Sequence, residues 1–165
     1  GFPEMFAERL SNNTAMRSAL KFAYAQNIPI YAECGGLMAL TQSISDLDGK
    51  TYPMFGLLPG RSMMTQRLTL GYRLAAPAAP SWLLPAAESI RGHEFHYSVW
   101  LERPADLPPA YRLLPVHAGE ESTMEGAALG SLWASYIHLH FWSQPQLALN
   151  FVAACRKNRE QQHGL

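Results

Sequence analysis

The chain has 165 residues, 48% of them hydrophobic, enough for one compact domain with a core of its own. Thirteen basic residues balance thirteen acidic ones, which speaks against nucleic acid as a partner and against a polybasic membrane patch. No apolar run reaches the length of a membrane span, no signal-peptide pattern opens the chain, and the two cysteines lie far apart, so the expected setting is cytoplasmic and reducing.

The opening Gly1-Phe-Pro-Glu4 has no initiator methionine and enters mid-motif, so the chain is read as a piece of a longer polypeptide. Residues 4–26 read as helical, with N-cap oxygens at Asn12, Asn13 and Thr14 and an apolar recurrence at Met16, Ala19, Leu20 and Ala23. Ile28-Pro-Ile-Tyr31 reads as a short buried strand ending at Glu33-Cys34-Gly35-Gly36, and Leu37–Thr41 as the first turns of a helix closed by Asp46, Asp48 and Gly49. Residues 54–74 are strand-like with a turn at Pro59-Gly60, and the alanine- and proline-rich 75–89 read as an exposed connector. Ile90–Ser98 is a condensed polar and aromatic motif, and a proline-containing stretch, 103–115, leads into hairpin strands. Ser131–Phe141 reads as one strand running into His138 and His140, after which Pro145 opens a terminal helix over about 146–160.

Cys34 is therefore placed at a strand-to-helix turn. Such a turn exposes a thiol at the mouth of a sheet, lowers its pKa through the helix N-terminus, and offers free N–H groups to an oxyanion. The two glycines permit a tight turn and close approach of substrate. Cys-Gly-Gly taken alone also suits a buried structural cysteine, whereas Cys155, on an apolar helical face, reads as core. A cysteine nucleophile needs a base, and strand alternation puts His138 and His140 on one face, where one can act as base and the other orient it or stack nearby, or where both are simply satisfied half-buried histidines. His163 and His117 read as surface residues. His93, Glu94 and His96 with His138 and His140 also raise zinc, but no Cys-x-x-Cys or His-Glu-x-x-His pattern appears, and no metal is expected.

Taken in order, Gly1-Phe-Pro-Glu4, Tyr31-Ala-Glu-Cys34-Gly-Gly-Leu-Met38, Tyr52–Gly60, Leu70-Gly-Tyr-Arg73, Arg91-Gly-His-Glu-Phe-His-Tyr-Ser98 and Ala134–Phe141 resemble the C-terminal glutamine amidotransferase domains of the cobyrinic acid a,c-diamide synthases of cobalamin biosynthesis. The resemblance runs end to end. It implies a flavodoxin-like α/β class I amidotransferase domain over residues 1–165, N-terminally truncated and lacking its first strands. It also implies Cys34 as nucleophile, His138 as base from the pattern Tyr136-Ile-His138, and oxyanion donors from the backbone at Gly1 and Gly35. Class I triads commonly carry a glutamate two residues after the histidine; here that position is His140, which is left as an orienting or supporting group. His93, Glu94 and His96 would line the glutamine site, face a synthetase domain, or simply pack a strand; Glu33 is not assigned a catalytic part. Ammonia from glutamine would serve a synthetase domain, absent from this chain, that uses ATP and Mg²⁺ to amidate the a and c carboxylates of the corrinoid. No cofactor is expected in this chain, which has no Gly-x-x-x-x-Gly-Lys-Ser/Thr. Glutamine is the expected partner molecule, a homodimer is allowed for, and the isolated piece is expected to be a weak glutaminase.

Three rival readings stand beside this one: the amidotransferase domain of cobyric acid synthase, a cysteine hydrolase of the same fold without ammonia transfer, and a non-catalytic interaction domain.

Overall fold

The computed structural model describes residues 1–84, 89–115 and 121–164, the side chain of His163 excepted. The helical reading of 4–26 resolves into a 3-10 turn at Pro3–Phe6, α1 (Ala7–Asn12) and α2 (Thr14–Ala25). The break falls at Asn13, whose side chain accepts from the Met16 N–H at 3.0 Å and so caps α2. The apolar stripe of α2 is shallower than its spacing suggests. Met16 and Ala19 are exposed, while Leu20 and Tyr24 rest against the core.

β1 (Ile30–Glu33) follows, then α3 (Gly35–Leu40), which buries Leu37, Met38 and Leu40. β2 (Ser43–Ser45) and β3 (Thr51–Pro53) form a hairpin. Asp46 and Gly49 therefore do not close a helix. Asp46 Oδ1 accepts from the Asp48 and Lys50 N–H groups, and Gly49 supplies the positive φ that the hairpin turn needs. β4 (Arg61–Pro77) and β5 (Ile90–Leu101) make one long antiparallel pair, with a register shift between Met64 and Thr69.

β6 (Tyr111–Leu114) and β7 (Thr123–Glu125) extend this sheet, and β8 (Ala127–Leu129) and β9 (Leu132–Ser135) belong with β1. The predicted connector at 75–89 is in part a strand, because Ala75, Ala76 and Pro77 continue β4 and pair with β6. Ala75 and Ala76 are buried, as are Leu83 and Leu84; residues 85–88 lie outside the described residues. Ala75 belongs to the buried cluster that also holds Leu83, Ile90 and Tyr111. His117, at 116–120, also lies outside the described residues. β10 (His138–Leu139) and α4 (Gln146–His163) complete the chain. Cys155, expected in the core, is only partly buried on α4.

Two sheets result. In the smaller, β1 runs parallel to β9, with β8 antiparallel on its other side; in the larger the order is β10-β5-β4-β2-β3. β9 is buried along its whole length and its alternation divides the core. Leu132 and Ala134 join the cluster under α3, while Trp133 joins the one with Tyr111, Ile137 and Leu147. The chain leaves β9 at Ser135 and enters the larger sheet at His138, so the site lies where the two sheets meet. Among the described residues no helix is long and apolar enough to cross a membrane.

Candidate active site

β1 and β9 run in register, Glu33 against Ser135, and the Cys34 N–H donates to the Ser135 carbonyl at 2.7 Å. The backbone then reverses. Cys34 takes φ 49° and ψ −105°, a conformation that L-residues avoid, and α3 starts at the next residue. Gly35 is glycine for a local reason: a Cβ there would stand 2.6 Å from Gly1 O and 2.8 Å from Pro3 Cδ. The two residues expected to supply oxyanion donors are thus adjacent, and Gly1 lines the same small cavity as Cys34.

The thiol itself differs from expectation. Cys34 is 6% exposed, and burial pushes its pKa up from the ordinary thiol value, outweighing the Gly35 N–H. A six-residue helix and one N–H do not offset the lost solvation. The thiol donates to Phe95 O at 3.7 Å, an interaction that favours S–H over thiolate. Its cavity, of about 30 Å³, is also lined by Met38, Met64 and His96, room for about one water molecule.

His138 and His140 do not end one continuous strand. Tyr136 and Ile137 separate β9 from β10, where His138 pairs with His93 and Leu139 with Gly92 on β5. A second acid, Glu125, shapes this corner: it accepts from Ser135 Oγ and from the Tyr136 N–H, and burial pushes its pKa up to about 7. His138 Nδ1 faces Glu33 Oε2 at 3.4 Å, and its ring stacks on His93 with centroids 4.9 Å apart. Glu33 Oε1 accepts from the Leu139 N–H at 2.8 Å and from the Tyr31 hydroxyl. His140 is exposed, and lines with His138, His93, Arg73 and Arg91 a cleft of about 680 Å³.

Strand alternation sets His93 apart from Glu94 and His96, which share the inner face of β5 and lie 3.7 Å apart. His93 faces the large cleft, His96 the Cys34 cavity, and Glu94 is buried. Burial acts to raise Glu94, but His96 and Arg73, whose Nε is 2.7 Å from the carboxylate, hold it below the usual range. His96 is fixed by its Nδ1 on Ser98 O at 2.9 Å and by stacking on Tyr136, with centroids 4.0 Å apart. Glu125 is a residue that sequence reasoning passed over, and Glu33, set aside there, makes contacts its sequence position did not signal. Among the described residues no group of three or more His, Cys, Asp or Glu is arranged to hold a metal ion.

Residues 1–146 match the family model of the CobB/CobQ-like glutamine amidotransferase domain. The chain belongs to that family. Among curated relatives of this amidotransferase domain, a cobyrinate a,c-diamide synthase of Synechocystis sp. is 44% identical over 156 residues, covering 94% of this chain and 32% of the relative. One of Dehalococcoides mccartyi is 45% identical over 159 residues, covering 92% and 33%. The chain thus spans about a third of the length of the curated relatives it matches. A crystal structure of a glutamine amidotransferase superposes with a TM-score of 0.57 at 16% identity, covering 90% of this chain and 72% of that one. The fold is accordingly the mixed α/β fold of class I glutamine amidotransferases.

Proposed function

We propose that the domain hydrolyses glutamine through Cys34 and His138, and that the ammonia is used to amidate the a and c carboxylates of cobyrinic or hydrogenobyrinic acid. The observation that carries this reading is the elbow at Cys34, a positive-φ cysteine between β1 and α3, with the His138 imidazole facing the carboxylate of the residue directly before it.

In the proposed reaction, entry of glutamine opens the small cavity and turns the thiol from Phe95 O. His138 Nε2 takes the thiol proton and the sulfur bonds to the amide carbon. The carbonyl electron pair moves onto oxygen, facing the Gly35 N–H and the backbone at Gly1. Collapse breaks the C–N bond, and the nitrogen leaves as ammonia with the proton from Nε2. Water then attacks the thioester, giving its proton to Nε2; the C–S bond breaks and the sulfur recovers that proton as glutamate departs. In the structure Cys34 and His138 line separate cavities, and in this reading substrate binding brings thiol and imidazole together. The ATP- and Mg²⁺-dependent activation of the corrinoid carboxylates belongs, in this reading, to residues outside these 165.

The test is glutamine-dependent release of glutamate by the full-length protein. Cys34→Ala and His138→Asn are expected to lower it by at least about a hundredfold while both proteins stay folded. Undiminished release by Cys34→Ala would rule the reading out. Glutamate release without amidation of a corrinoid acid would favour a hydrolase without ammonia transfer.

A further inference from the structure

We propose that Glu33 is the positioning residue of the His138 base. It would act as the carboxylate that fixes the tautomer and orientation of the imidazole, a part His140 cannot play as an anion. The inference rests on the reading of His138 as base. It is carried by three contacts that converge on one side chain, one from β1 and two from β10.

A carboxylate only accepts hydrogen bonds. Glu33 Oε1 receives the Leu139 N–H at 2.8 Å and the Tyr31 hydroxyl, which leaves Oε2, 3.4 Å from His138 Nδ1, to receive the imidazole. Tyr31 keeps its proton throughout the working range because burial, first of all, pushes its phenol far above the ordinary value. It is therefore a permanent donor that holds the carboxylate in place. With Oε2 presented to Nδ1, the stable neutral tautomer carries its hydrogen on Nδ1 and a free lone pair on Nε2, as a general base requires. His93, stacked on the other side of the contact, restricts rotation of the ring. The side chains of His138 and Glu33 are 28% and 24% exposed, so the contact is largely shielded from solvent.

The position of Glu33 matters as much as its contacts. It is the last residue of β1 and the one directly before Cys34. The same rigid peptide thus places the nucleophile on one side and, through the carboxylate, the base on the other. In a merely structural role, Glu33 would tie β1 to β10 through the Leu139 N–H, and the imidazole would be indifferent to it.

Glu33→Gln separates these roles in the full-length protein. Glutamine keeps an oxygen for the Leu139 N–H and the Tyr31 hydroxyl, but turns an amide N–H₂ toward Nδ1. The imidazole hydrogen then moves to Nε2, the wrong atom for a base. The expected result is a kcat for glutamine hydrolysis lowered by about a hundredfold or more, KM within about threefold, and an unchanged thermal midpoint. Glu33→Asp should recover part of the rate. In the His138→Asn background, Glu33→Gln should cost nothing further. A Glu33→Gln rate within about twofold of the unsubstituted protein would overturn the proposal, and so would an equal loss in the His138→Asn background. If Cys34→Ala is inactive but His138→Asn is not, the base assignment fails, and Glu33 has no base to position. A readout that needs no variant is the ¹⁵N spectrum of the His138 ring: the Nδ1–H tautomer supports the proposal and the Nε2–H tautomer refutes it.

Discussion

At the scale of single residues, the site is governed by which groups lose their water. Cys34, Tyr31 and Glu125 are all pushed toward their neutral forms by burial. Glu125 has the consequence easiest to measure. Its folded value of about 7 lies above the ordinary carboxylate value of 4.5, so the folded state holds a proton that the unfolded chain has released between those limits. The stability this group contributes is complete below pH 4.5 and is lost as pH rises toward and through 7, by at most on the order of 3 kcal/mol, since the residue is not wholly enclosed. Glu125→Gln should remove that slope: relative to the unsubstituted protein, its thermal midpoint should rise between pH 5 and pH 8. A difference that does not change with pH would show that Glu125 does not titrate in this window.

At the scale of elements, β10 is only two residues long, yet it carries the proposed base. It is seated on β5 at Gly92, where a Cβ would come within 2.5 Å of Ile137 Cγ2 and 2.7 Å of His138 O. Gly92→Ala should therefore lift β10 from β5 at a cost of about 1–3 kcal/mol. Glutamine hydrolysis should fall further than the loss of stability explains, because His138 moves with its strand; chemical denaturation and kinetics on the same variant check both. The elements that could be read from sequence were those with local causes. The strand into Cys34, the glycines after it and the proline before α4 each act on their own neighbours. Glu33 could not be read in this way, because its partners His138 and Leu139 lie more than a hundred residues away and reach it only through the pairing of β1 with β9. Residues 75–77 misled for the opposite reason. Alanine and proline signal a connector by composition, whereas here they continue β4, and their pairing with β6, about 35 residues on, is not a local signal.

At the scale of the molecule, the larger sheet brings β5 across the end of the smaller one. The two cavities are therefore walled by a single strand, with His93 facing one and Phe95 and His96 the other. The backbone at Cys34 shows what this arrangement costs. Replacing alanine by glycine ordinarily destabilises a structured position by about 0.5–1 kcal/mol, because glycine has more freedom to lose. At φ 49° the order should reverse, since alanine is strained there and glycine is not. Cys34→Gly should melt no lower than Cys34→Ala, and a clearly lower midpoint would show the elbow to be relaxed. If the order does reverse, the turn after β1 holds the proposed nucleophile in a backbone conformation that glycine would adopt more readily, a local strain kept at the one residue whose side chain the proposed reaction needs.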